Sequence, residues 1–192
     1  MKKTVDFIMH VISKMIVLFI VLSIFNTFID QNVMADEVEE YAVKAAFVFN
    51  FAKFIQWPKT SFSDNNSPYQ LCFIGGNAVA QQFKKFNGAR DGTRTIDVHH
   101  LLSPQQCKKC NIIFISRDTS PLMLKKIISK VSGKPVLTIG ETKKFTELGG
   151  VINFFLKNNR LHFEINTNAA EKQGLKMSSR LLDLAVIVDG QK

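Results

Sequence analysis

The sequence predicts an α/β fold: a single domain whose mostly parallel sheet is flanked by helices and completed by a C-terminal β-hairpin. Three observations carry this expectation. From residue 69 to residue 148, short apolar runs of strand character alternate with amphipathic helical runs, the pattern of parallel strands joined by crossover helices. Residues 111–115 are continuously apolar after Asn111, as in a strand buried on both faces of such a sheet. Near the C-terminus two alternating runs meet at Lys157-Asn158-Asn159, and Asn tolerates the left-handed backbone that a tight hairpin turn requires.

Taken in order, residues 37–57 read as a helix that stops at Pro58, because proline disfavours helical backbone in the residue before it. Its rings do not share one face at 3.6 residues per turn. The helix is therefore either a core element buried on several sides, or it offers Phe47, Phe51, Phe54 and Trp57 as a partner or dimer face. Residues 61–68 are polar and turn-rich. Residues 69–74 form a strand ending at Gly75-Gly76, and residues 78–86 form a short helix closed by Asn87-Gly88. A short strand at 95–98 precedes the apolar strand at 111–115. Ser120-Pro121 opens a helix to Val131, and Gly133 closes it. A strand at 136–139, a short helix around 143–148, the hairpin and a closing helix over 181–188 complete the chain.

The first 35 residues read as a targeting segment. Lys2, Lys3 and Lys14 precede an apolar run over 15–29, and Val33-Met34-Ala35 is a plausible cleavage site. An uncleaved anchor is the alternative, but the run is shorter than the roughly 20 apolar residues of a spanning helix. Residues 36–192 then form the domain. The formal charge of +9 becomes +8 when three lysines and two aspartates leave with that segment. An exported basic chain rarely meets nucleic acid, so none is expected as a partner. The lysine pairs at 84–85, 108–109, 125–126 and 143–144 read as solvated surface, or as attraction to an acidic partner or anionic membrane.

Catalytic and metal chemistry find little support. Gly75-Gly76 follows a strand, yet no G-x-G-x-x-G and no phosphate-loop lysine accompany it. His99 and His100 are adjacent and would point to opposite faces of a strand, away from one shared metal. No cofactor is expected. The three cysteines leave two pairings open: Cys107 with Cys110 as a redox C-x-x-C, or Cys72 with Cys110 as a bridge between strands. His162, Glu164 and Asn166 alternate with apolar neighbours and so share a strand face. That face is solvated, or Asn166 caps the next helix, or Glu164 and Asn166 form a ligand pocket closed by Lys176, Ser178 and Arg180.

The order Ala-Ala-Phe…Phe-Ala-Lys-Phe…Trp57-Pro58, Cys72…Gly75-Gly76, Cys110-x-Ile-x-Phe-Ile-Ser116, Gly149-Gly150-x-Ile-x-Phe and Phe163-Glu-Ile-Asn166…Gly174-Leu175 resembles the YfiR family, also called YfiR/HmsC-like, of exported bacterial regulators. The resemblance favours the Cys72–Cys110 bridge and leaves Cys107 free. It implies a periplasmic, often dimeric protein that binds the periplasmic sensor domain of an inner-membrane diguanylate cyclase. Binding would hold the cyclase inactive, lower cyclic di-GMP and restrain biofilm formation. The resemblance also implies small-molecule binding near the strand of Glu164 and the segment after Gly174-Leu175, although Lys176 and Ser178 stand where relatives carry Arg and His. A thiol oxidoreductase using Cys107 and Cys110, and a small-molecule receptor, are the rival readings.

Overall fold

The protein is described by a computed structural model over His10, residues 14–16, Phe19, residues 36–90, Gly92 and residues 94–188. Nearly all of the expected targeting segment lies outside the described residues. Two units are distinguished, Met1–Glu40 and Tyr41–Lys192, and the second carries the α/β fold. No helix among the described residues is long and apolar enough to cross a membrane.

The first helix, α1, covers residues 36–51, six residues fewer at its C-terminal end than the pattern predicts. A 3-10 turn, Ala52–Phe54, tightens its end, and the chain then extends as β1, Ile55–Gln56. The reason is tertiary. β1 pairs antiparallel with β8, Lys176–Met177, and the Ser178 N–H donates to the Phe54 carbonyl at 2.9 Å. Backbone groups used across strands cannot also continue a helix.

The main sheet has seven strands. β2 is Tyr69–Ile74, β3 Ile96–His100, β4 Ile112–Ile115, β5 Leu137–Gly140, β6 Ile152–Lys157, β7 Arg160–Asn166 and β9 Val186–Val188. Their spatial order is β3-β2-β4-β5-β6-β7-β9. β3, β2, β4, β5 and β6 run parallel, β7 returns antiparallel, and β9 is parallel to β7. The central strand β4 is buried at every residue, as its unbroken apolar sequence requires. At the hairpin, Lys157 pairs with Arg160, so Asn158 and Asn159 form a two-residue loop with φ of 51° and 57°.

One face of the sheet packs against α1 and α2, Asn77–Lys84. Tyr41 and Phe83 contact Phe114, and Phe73 contacts Phe83. The other face packs beneath α3, Pro121–Val131, and a 3-10 helix, Pro104–Lys109. There Cys72, Ile74, Ile113 and Ile115 meet Leu124, Ile127, Ile128 and Val131. Ser120 caps α3 by accepting from the Met123 N–H at 3.3 Å.

Two further expectations are corrected. Residues 143–148 form turns, not a helix, with Lys144 at φ 65° and Gly149 at φ 93°. The turns drop the Phe145 ring between Gly140 and Gly150, where a built Cβ would stand 2.4 Å and 2.1 Å from ring carbons. The closing segment is a short helix α5, Ser179–Leu182, followed by β9, not one helix over 181–188. β-Branched Val186, Ile187 and Val188 suit the open edge that β7 offers. Between the hairpin and β8 lies α4, Thr167–Lys172.

Gly150→Ala is expected to destabilise the fold by about 1–3 kcal/mol, the usual range for overpacking a filled core. A denaturant titration reads it, and Gly88→Ala is a poor control because φ there is +78°. Ala89→Ser, just after the turns at 85–88 and away from the Phe145 ring, is the better one and should leave the midpoint nearly unchanged.

Candidate functional site

The strand face anticipated as a pocket is partly covered: Asn166 is buried, Glu164 half-buried and His162 exposed. Asn153, Glu164 and Thr146 form a cluster in which Glu164 Oε1 accepts from Thr146 Oγ1 at 2.9 Å and from Asn153 Nδ2 at 3.2 Å. Asn166 is 3 % exposed. Its Oδ1 accepts from the Ala169 N–H at 2.8 Å, capping α4, and its Nδ2 donates to the Thr146 carbonyl at 2.9 Å. The turns around Phe145 thus lie over the face that Glu164 and Asn166 share. Ser178 caps α5 by accepting from the Leu181 N–H. Lys176 and Arg180 are exposed. The structure gives Asn166 and Ser178 capping work, which Asn-Thr and Ser-Ser before short helical runs do signal in sequence.

The aromatic residues of α1 divide. Phe51 is 3 % exposed and contacts Phe154 and Phe163 of the hairpin at ring-centroid distances of 5.9 and 5.0 Å. It is core, which corrects its place in a partner face. Phe47 is half-buried against the same three rings, Phe51, Phe154 and Phe163. Phe54 is half-buried, and Trp57 lies beyond the helix against Phe62 and Tyr69.

Cys72 and Cys110 are bridged, with Cα atoms 5.9 Å apart and a sequence separation of 38. Closing a loop of that length stabilises by about 4 kcal/mol in the chain-entropy view. Cys107 is free and buried, and burial raises its thiol pKa, which disfavours the reactive thiolate.

Trp57, Phe62 and Tyr69 wall a cleft of about 510 Å³ that also takes in Gln56, Lys59 and Arg94. The Arg94 guanidinium stacks 3.9 Å from the Phe62 centroid and donates to the carbonyls of Asp64 and Ser67 at 3.0 and 2.6 Å. The indole N–H of Trp57 is buried without a hydrogen-bond partner. Gln56 pairs with Lys176, so the one exposed lysine of the anticipated ligand set stands beside this cleft.

A second polar centre stands at the C-terminal ends of the parallel strands. The topology reverses between β2 and β4, the place where open α/β sheets usually bind ligands. Lys44, 2 % exposed, forms a close ion pair with Glu141 just after β5. Glu141 Oε1 accepts from Tyr41 Oη at 2.8 Å and from the Arg117 N–H at 2.9 Å. Tyr41 Oη also lies 3.1 Å from Ser116 Oγ, and Ser116 donates to Asp118. Asp118 in turn accepts from the Gly76 N–H at 2.9 Å. Burial, with the Glu141 carboxylate beside it, pushes the Tyr41 phenol up to about 12, so it stays a protonated donor. Gly75 has no room for a side chain, since a Cβ would stand 2.8 Å from Ser116 Cβ. No motif in the sequence marks this centre. Its signal is Lys44 on the stripe Tyr41, Ala45, Val48 and Ala52, where helical spacing calls for an apolar residue. Among the described residues no group of three or more His, Cys, Asp or Glu side chains is placed to hold a metal.

Lys44→Met leaves the buried Glu141 carboxylate with only the half-exposed Arg117 guanidinium, 3.9 Å away, as a cation, and should cost about 3 kcal/mol in a denaturant titration. Lys44→Met with Glu141→Leu should recover much of that loss, because neither charge is then buried alone.

Two solved structures show partial similarity to the chain. One, an ABC domain from Streptococcus pneumonia in complex with L-Trp, is 11 % identical, with 62 % of this chain and 55 % of that one covered and a TM-score of 0.48. Another, a conserved domain protein from Vibrio cholerae, is 14 % identical, with 62 % and 54 % covered and a TM-score of 0.45. The chain therefore spans about half the length of the solved structures it matches. No curated protein matches it. The YfiR/HmsC-like family description matches residues 41–186, most of the chain and nearly all of the α/β unit. The chain belongs to the YfiR/HmsC-like family.

Proposed function

We propose that this protein is a periplasmic regulator that binds the periplasmic sensor domain of an inner-membrane diguanylate cyclase and holds the cyclase inactive. Export would follow from the targeting segment over the first 35 residues, with residues 36–192 as the mature form. Repression lowers cyclic di-GMP and restrains biofilm formation. The observation that carries this reading is the family match across residues 41–186. Protein recognition of this kind asks for surface, and the sheet offers it at its β9 edge. Leu184, Val186 and Ile187 are exposed there, and the outer backbone edge of β9 has no neighbouring strand among the described residues. Phe47, Phe54 and Trp57 are half-buried and contribute less surface. A homodimer would use the same kind of contact.

Deleting the gene should raise cyclic di-GMP several-fold, and the wild-type protein should retain a membrane diguanylate cyclase in an envelope pull-down. Val186→Asp with Ile187→Asp should lose both repression and capture while the protein stays folded. Unchanged cyclic di-GMP in the deletion strain would sink the reading.

The cleft of Trp57, Phe62, Tyr69 and Arg94 favours a second reading, a small-molecule receptor. Three aromatic walls, a guanidinium and an unsatisfied indole donor suit a flat ligand bearing an acceptor or acid group. Aromatic acids should raise the melting temperature saturably, and Trp57→Ala should abolish the shift. A flat response across a panel of such compounds would remove this reading.

A further inference from the structure

Helix α3 carries a surface that neither the fold nor the proposed regulation uses. Leu124, Ile127, Ile128 and Val131 face the sheet. The opposite face presents Leu122, Lys125, Lys126 and Ser129, all exposed, with Lys130 at its margin. Leu122 is 64 % exposed and lies one and two helical turns from Lys126 and Ser129. Lys125, Lys126, Ser129 and Lys130 line an open groove of about 520 Å³ with Pro104 and Gln105 of the neighbouring 3-10 helix. A second large apolar side chain, Leu102, stands 75 % exposed two residues before that helix.

The charge around this groove is one-sided. Between Val98 and Gly140 the sequence holds six lysines and one arginine against a single acid, Asp118. Asp118 is engaged by Ser116 and by the Gly76 N–H at the end of the sheet. Among the described residues no ion pair involves Lys125, Lys126, Lys130 or Lys134, and Ser103 with Gln106 caps the 3-10 helix without any carboxylate.

We propose that the outer face of α3 and the adjoining 3-10 helix dock on an anionic phospholipid surface. Charge complementarity selects an anionic occupant, and the leucines select its source. An apolar side chain projecting from a lysine field gains free energy where headgroups give way to acyl chains. Against a hydrated acidic peptide it gains little. Lysine stems lie along such a boundary while their ammonium groups stay among the phosphates. Docking this way holds the protein at the bilayer by many weak, salt-sensitive contacts, with no spanning segment needed.

The test is sedimentation of the full chain with phosphatidylcholine vesicles that contain, or lack, about one third phosphatidylglycerol. Wild type and variants are compared with the same N-terminus. Binding is expected to be stronger to the anionic vesicles, and that excess to fall as salt rises from about 0.1 M to about 1 M and the Debye length shrinks. Lys125→Glu with Lys126→Glu and Lys130→Glu should weaken it about a hundredfold, each lysine contributing roughly fivefold. Leu122→Ser should weaken it severalfold with an unchanged melting temperature. Equal binding of wild type and the triple variant overturns the proposal. So does a wild type that binds polyglutamate but leaves the anionic vesicles unbound, which would assign the groove to an acidic protein.

Discussion

The Lys44–Glu141 pair is the contact on which the arrangement of α1 over the sheet depends. Lys44 reaches Glu141 from a helix otherwise held by apolar packing, and both side chains are almost wholly out of water. A charge in that position is tolerable only beside its counter-charge, so the pair fixes the register of the helix against the end of β5. Tyr41, Ser116 and Arg117 then attach to Glu141 or to each other, and Asp118 carries the network across to Gly76. Three loops at the C-terminal ends of β2, β4 and β5 are thereby tied to one helix. Where other α/β sheets leave a crevice for a ligand, this one places an internal polar knot.

A second constraint acts on the opposite face. Phe145 lies against Gly140 and Gly150, and its ring joins the apolar layer beneath α3. Seating the ring brings Thr146 onto the hairpin, where it engages Glu164 and Asn166. The same packing that completes the core therefore covers Asn166 and part of Glu164 on the strand face expected to bind a ligand. The hairpin gains rigidity from both sides, since Phe154 and Phe163 meet Phe47 and Phe51 on its other face. Its outer neighbour β9 is left as an apolar edge, the feature most suited to recognising another chain.

The candidate recognition features of this protein are surfaces. The aromatic cleft at Trp57 is separated in character from the β9 edge, one enclosed by rings and a guanidinium, the other open and apolar. The disulfide and the buried Cys107 sit in the interior beneath α3, where the bridge strengthens the fold and burial disfavours the thiolate. That placement gives a redox C-x-x-C no supporting geometry: Cys110 is bonded to Cys72, and Cys107 belongs to a 3-10 helix leading into a strand.

Much of this was written locally in the chain. The apolar run of β4, the Asn158-Asn159 turn, and the Ser120-Pro121 start of α3 each specify their structure through a backbone preference or a burial period, and each appears as expected. The family resemblance was legible for the same reason, because its residues recur in a fixed order. What sequence could not decide was where separate segments meet. α1 stops at residue 51 because β8, some 120 residues on, takes the following backbone into a ribbon. Val186–Val188 is a strand because β7 has an edge to fill. Lys44 finds Glu141 across 97 residues, and Trp57 finds Tyr69 and Arg94 to make a cleft. These outcomes depend on pairing and burial between distant residues, which no local periodicity encodes and which only the folded chain brings about.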